Sequence, residues 1–207
     1  MADLSAALPY RLVDLIRHGE VAGGACFRGR RDDPLSAMGW SQLEAATTDQ
    51  AAGGPSSWDR ILCSPAARCA IFADWLGERL GLRVEQVDAL RERDFGAWEG
   101  LRADQIPLDD LARFWADPSG FDPPSSEPFA VFCQRVIDAW YRLLAGGGDH
   151  LLLITHGGVI RVILGELLGI PNERLILLEV PTACRSRVRL PAEGGLPSLI
   201  AHGNLSA

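Results

Sequence analysis

The sequence predicts an α/β fold: a three-layer sandwich whose mostly parallel central sheet carries helices on both faces. Three observations lead there. Apolar runs near 13–16 and 151–154 stop abruptly at a polar residue, a histidine and a glycine, as buried strands of a parallel sheet do. Segments with helical spacing of apolar residues separate such runs, the alternation that builds βα units. A chain of 207 residues with 47% hydrophobic content is also long enough for a single domain, 1–207, with a full core.

Taken in order, Val13 to Ile16 reads as a strand delivering Arg17, His18 and Gly19 at its carboxyl end, where open α/β sheets bind ligands. On these residues alone, a solvated arginine and a packing histidine account for the stretch equally well. Val21 to Asp33, rich in glycine and carrying Arg28, Arg30 and Arg31, suits a loop. A helix over Met38–Ala52 with Ser36 as its cap follows, closed by Gly53-Gly54-Pro55. Trp58–Cys63 is a second strand, and Ser64-Pro65 then opens a helix reaching Leu80, with Ser64 as the cap. That places Arg68 in a first turn, where the helix dipole disfavours a cation unless an anion lies close by.

Leu82–Val87 reads as a third strand, followed by a loop dense in charge and aromatics, Leu90 to Gly100. From 101 to about 128, a short helix near Leu108–Ala116 sits among Pro, Gly and Ser turns, a lid-like insertion on the main sheet. Phe129–Ala145 has the apolar stripe of an amphipathic helix, ended by Gly146 to Gly148. The strand Leu151–Ile154 repeats the opening pattern, ending in Thr155-His156-Gly157-Gly158, and a helix from Val159 to Leu168 stops at Gly169 and Pro171. Leu175–Val180, Ser186–Leu190 and Leu199–His202 are the remaining expected strands, antiparallel at the edge.

Composition narrows the function. A net charge of −7 argues against nucleic acid or an anionic membrane as the main partner, since both need a basic face. The five cysteines are scattered and hold no Cys-x-x-Cys pair, which suits reduced thiols in a cytoplasmic protein better than disulfides or a zinc site. Leu151 to Leu164, the longest apolar stretch, is broken by Thr155, His156, Gly157, Gly158 and Arg161, so it is no transmembrane helix. Met1 to Pro9 lacks the basic start of a signal peptide. Gly157-Gly158 lacks dinucleotide-loop spacing, Ser64 is not in a nucleophile elbow, and no carboxylate or thiol cluster points to a metal.

Four motifs stand at strand ends or in the adjoining loops: Arg17-His18-Gly19; Ser64-Pro65 with Arg68; Glu92 shortly before Phe95-Gly96-Ala97-Trp98-Glu99-Gly100; and His156-Gly157-Gly158. In this order they resemble the histidine phosphatase superfamily, which includes cofactor-dependent phosphoglycerate mutases, fructose-bisphosphatase domains and alpha-ribazole phosphatases. The resemblance covers about Val13 to Ala183.

It implies His18 as the nucleophile that attacks phosphorus, forming a phosphohistidine. It implies Arg17, Arg68 and His156 around the phosphoryl oxygens, where transition-state charge is held, and Glu92 as the group that protonates the leaving oxygen and then deprotonates water. Arg28, Gly29 and Gly157 fall at phosphate- or substrate-binding positions. The resemblance implies neither metal nor cofactor, and a small-molecule phosphomonoester as the partner; it leaves the oligomeric state open, a homodimer included. Glu20 to Gly24 offers neither the threonine or serine nor the phosphate-contacting asparagine of many relatives.

Gly29 to Ser36 and Phe95 to Gly100 are most similar to alpha-ribazole phosphatases, which implies action on alpha-ribazole 5'-phosphate in cobalamin biosynthesis. A broad-specificity small-molecule phosphatase is the alternative. A phosphoglycerate mutase and a non-catalytic phospho-ligand binder stand behind it. His150 and His202, outside the motifs, are read as structural or solvent-facing.

Overall fold

The computed structural model describes residues 10–49, 54–55, 57–191 and 195–204. Its strands are β1 (Tyr10–Arg17), β2 (Thr48–Asp49), β3 (Gly54–Pro55), β4 (Arg60–Cys63), β5 (Val84–Gln86), β6 (His150–Thr155), β7 (Arg185–Pro191) and β8 (Ser198–Gly203). Its α-helices are α1 (Ala37–Thr47), α2 (Ala67–Leu80), α3 (Leu108–Ala116), α4 (Phe129–Ala145) and α5 (Gly157–Leu168). Six strands form one sheet in the order β5-β4-β6-β1-β7-β8, while β2 and β3 pair as a separate ribbon. The first four of the six run parallel; β7 is antiparallel to β1, and β8 to β7.

The two apolar runs of the sequence are neighbours: β1 lies parallel to β6, with Arg17 opposite Thr155, so both histidine-bearing ends emerge at the same edge of the sheet. Alternation along the strands divides the core. Val13, Leu15, Leu151 and Leu153 face Phe132, Val136 and Trp140 of α4 and Ile160 of α5. Ile16, Leu152 and Ile154 face Leu43 of α1 and Phe72 and Leu76 of α2. A period of two in the strands thus requires a helical layer on each side.

Asp14 is the exception in that pattern, a fully buried carboxylate in mid-strand. Its oxygens accept from Trp58 Nε1 at 2.7 Å, Arg185 at 2.9 Å, and Arg187 at 2.8 and 2.9 Å, and His150 Nε2 lies 2.9 Å away. His150 therefore serves the fold, as does His202, which bridges the Ser186 hydroxyl (2.8 Å) and the Glu179 carbonyl (2.7 Å).

Two expectations fail here. Leu175–Val180 is not a strand: Asn172–Leu177 forms a 3-10 turn after Pro171, with Leu175 buried and Leu177 75% exposed, the one-sided pattern of a tight helical turn. Helix α1 ends at Thr47 rather than at Ala52, because Thr48 and Asp49 pair with Gly54 and Pro55; residues 50–53 lie outside the described residues.

Between 95 and 128 a satellite cluster buries Trp98, Ile106, Phe114 and Phe121, with Phe27 and Phe95 against it. Among the described residues no helix is long and apolar enough to cross a membrane.

Candidate active site

His18 follows the last residue of β1 and is fixed on both sides of its backbone. Its N–H donates to Thr155 of β6 (2.9 Å) and its carbonyl accepts from Ala183 (3.1 Å). Nδ1 lies 2.8 Å from the Gly19 carbonyl, which can only accept, so Nδ1 carries the proton and Nε2 holds a free lone pair when the ring is neutral. Neutrality is enforced: burial first, then the cations of Arg17 and Arg68, push the His18 pKa down to about 3. The His156 ring stands edge-on at 5.3 Å, its pKa well below the ordinary histidine value through burial and then through Arg68 and His18.

The cations are held by backbone carbonyls, not by carboxylates. Arg68, fully buried in the first turn of α2, donates to the carbonyls of Arg31 (2.8 Å) and Gly29 (3.0 Å). Arg17 donates to Val180 at 2.6 Å. Among the described residues, Arg17 Nε, Arg68 Nε and His156 Nδ1 are buried and have no hydrogen-bond partner. A buried donor without an acceptor costs about 1–3 kcal/mol, so the two guanidinium N–H groups are complementary to an anion rich in acceptor oxygens. The expected cap of α2 is corrected here. Ser64 turns its hydroxyl to His156 Nε2 (2.8 Å), α2 has Ala66 at its N-cap, and Asp32 Oδ1 accepts from Ala67 N–H at 2.7 Å in the serine's place.

Glu92 is brought in from the opposite side. Arg135 of α4 donates to the carbonyls of Ala89 (2.9 Å), Arg91 (2.9 Å) and Glu92 (3.0 Å), and pairs with Glu127 at 2.6 Å, fixing the backbone that carries Glu92. The Glu92 carboxylate accepts from the Gly158 N–H at 2.9 Å, at the start of α5, where backbone donors have no partner within the helix. A Cβ at 158 would fall 2.2 Å from Glu92 Oε1, so glycine there leaves room for the carboxylate in this position.

Glu99 ties the loop to the site, a role the sequence reading missed. Its carboxylate accepts from the N–H groups of Gly29 (2.9 Å), Arg30 (3.0 Å), Arg31 (3.0 Å) and Phe95 (2.9 Å), presenting the carbonyls of Gly29 and Arg31 to Arg68. Arg28 pairs with Asp33 at 2.8 Å and lines, with Arg17, His18, Glu20 and Thr182, a cleft of about 520 Å³. Gly157 packs against the clamp: a Cβ there would lie 3.6 Å from Arg17 Nε and 3.4 Å from Arg161 NH1. Gly19, in the wall of the cleft, meets Gly39 of α1 backbone to backbone. A Cβ on Gly19 would meet the Gly39 carbonyl oxygen at 2.0 Å, and one on Gly39 would meet the Glu20 carbonyl oxygen at the same distance.

The residues named from the motifs are linked through these contacts; the structure gives Ser64 and Glu99 their partners and adds Asp32, Thr182 and Arg161. A neutral buried imidazole among cations is suited to accepting a phosphoryl group. The family model of the histidine phosphatase superfamily (branch 1) matches residues 13–201. The chain belongs to this superfamily.

Among relatives, a bifunctional protein of Mycobacterium tuberculosis is 32% identical over 90% of this chain, but over only 52% of its own length. The chain thus spans about half of that relative. The adenosylcobalamin/alpha-ribazole phosphatase of Escherichia coli is 28% identical, covering 84% of this chain and 87% of its own. Among solved structures, the mycobacterial glucosyl-3-phosphoglycerate phosphatase aligns with a TM-score of 0.74 at 27% identity, covering 87% of this superfamily member and 90% of that chain.

Proposed function

We propose that this superfamily member is a phosphomonoesterase working through a phosphohistidine on His18. The observation that carries the reading is the set of buried, partnerless nitrogens on Arg17, Arg68 and His156 beside a neutral His18. In the first half-reaction Nε2 of His18 attacks phosphorus in line, the P–O ester bond breaks, and Glu92 gives its proton to the leaving oxygen. In the second, Glu92 takes a proton from water, the water oxygen attacks phosphorus, the P–N bond breaks, and inorganic phosphate leaves. Charge on the equatorial oxygens is met throughout by Arg17, Arg68, His156 and, from the cleft, Arg28.

For the substrate, alpha-ribazole 5'-phosphate is supported by the Gly29–Ser36 and Phe95–Gly100 segments and by the name of the E. coli relative. A broad-specificity phosphatase is supported by a nearly equal likeness to a phosphatase named for a sugar-glycerate phosphate. We read the chain as a single domain in which 101–128 is an insertion beside Glu92.

The test incubates the protein with alpha-ribazole 5'-phosphate and a panel of sugar, nucleotide and glycerate phosphates, with His18→Ala as control. Acid-labile phosphate on His18 and loss of turnover in the variant are expected; equal turnover by parent and variant would overturn the mechanism. Turnover of phosphoglycerate that depends on a bisphosphate primer would make the protein a mutase.

A further inference from the structure

Beside Glu92 lies a second cavity, about 110 Å³, walled by Phe95, Phe114, Phe129, Leu175 and Ile176. Its lining is mainly apolar, and Glu92, Gly158 and Arg161 border it on the side of the candidate site. It is a half-open pocket, so its apolar walls stay in contact with water until something covers them.

Position gives the cavity a use, on the phosphomonoesterase reading above. Glu92 protonates the leaving oxygen, so the carbon bonded to that oxygen must lie in space that Glu92 borders. The polar cleft over His18 takes its walls from residues 17–26, Arg28, Ser36 and Thr182, whereas the apolar cavity has Glu92 in its wall. Arg161 marks the way between the phosphate clamp and the cavity. It lines the cavity, and a Cβ on Gly157 would touch both its NH1 (3.4 Å) and Arg17 Nε (3.6 Å). Its Nε is engaged by the Leu178 carbonyl at 2.9 Å, which holds the guanidinium in that place.

We propose that this cavity is the leaving-group subsite, and that it selects phosphate esters in which a single aromatic ring or a compact branched aliphatic group sits next to the esterified carbon. A cavity of about 150 Å³ holds a benzene ring in another protein, so the volume here sets one ring as the upper size. The apolar walls remove that group from water, while Glu92 remains within reach of the ester oxygen.

The experiment compares benzyl phosphate with ethyl phosphate, primary alkyl esters whose leaving groups are alike in basicity. It also measures, by calorimetry, the binding of the non-hydrolysable benzylphosphonate and ethylphosphonate. The benzyl compounds should be favoured about tenfold or more in both kcat/KM and affinity, the size of effect an apolar pocket gives. Ile176→Trp, filling the cavity from its half-buried wall, should bring both ratios to below about twofold. Asn172→Trp, from an exposed position on the same wall, is the second variant.

Equal affinity for the two phosphonates overturns the subsite, as does a benzyl preference that survives both substitutions. A benzylphosphonate preference without turnover of either ester upholds the subsite and removes the phosphatase reading instead.

Discussion

Asp14 and His18 stand four residues apart on the same stretch of chain, both buried, and their polar neighbours are arranged in opposite ways. Around Asp14, Trp58, His150, Arg185 and Arg187 converge on one carboxylate and supply both of its oxygens. Around His18, two arginines and a histidine keep buried nitrogens that no partner among the described residues meets. The first group is closed and holds the sheet together; the second is unfinished in the way a binding site is. Burial of charge alone does not distinguish structure from function; between these two groups of ionisable side chains, completeness of hydrogen bonding does.

The contrast yields three expectations, in order of decreasing size. Asp14→Ala removes the buried carboxylate on which Trp58, His150, Arg185 and Arg187 converge and should cost about 3–5 kcal/mol in urea unfolding, with KM unchanged in the protein that remains folded. A raised KM at undiminished stability would place Asp14 with the site and dissolve the distinction. Next, inorganic phosphate at about a hundred times its Kd should stabilise the parent by about 2.7 kcal/mol. Thermal unfolding of Arg68→Met should show no such gain, while Asp14→Asn should keep it. Phosphate stabilisation that survives in Arg68→Met would mean that the orphaned donors are not its receptor.

The smallest effect concerns pH. His18 has a folded pKa pushed down to about 3, against about 6.5 in an unfolded chain. Below pH 6.5 the unfolded state therefore binds a proton that the native state refuses, and stability falls with falling pH until about 3. Between pH 7 and 5 the parent should lose about 2 kcal/mol more than His18→Gln. Parallel curves for the two proteins would show that His18 takes up its proton in the folded state.

What could be read from the sequence follows the range of the forces involved. Helices α3 and α4 fall at their expected bounds because local signals end them: Pro107 and Pro128 at their N-caps, Gly146 at the close of α4. The mostly parallel sheet with an antiparallel edge was likewise visible in apolar runs and their punctuation. The four motifs could be found because each is compact and lies next to a strand end. What escaped depends on distant partners. Glu99 is one acid in a loop full of charge, and its meaning comes from Gly29 to Arg31, some 70 residues earlier. Ser64 looked like a cap because nothing local shows that His156 takes its hydroxyl or that Asp32 covers the helix end. The 172–180 segment has strand-like composition, yet its carbonyls at Leu178 and Val180 are engaged by Arg161 and Arg17 rather than by a neighbouring strand.

The contact of Gly19 with Gly39 bears on how such a site can diversify. Backbone meets backbone there in both directions, so a methyl group on either residue strikes a carbonyl oxygen that no rotamer change can move. A second substitution cannot rescue the first, because there is no side chain to shorten in compensation. The wall of the cleft at Gly19 is consequently fixed, whereas side chains lining the same cleft, such as Glu20 and Thr182, can be exchanged without moving that backbone.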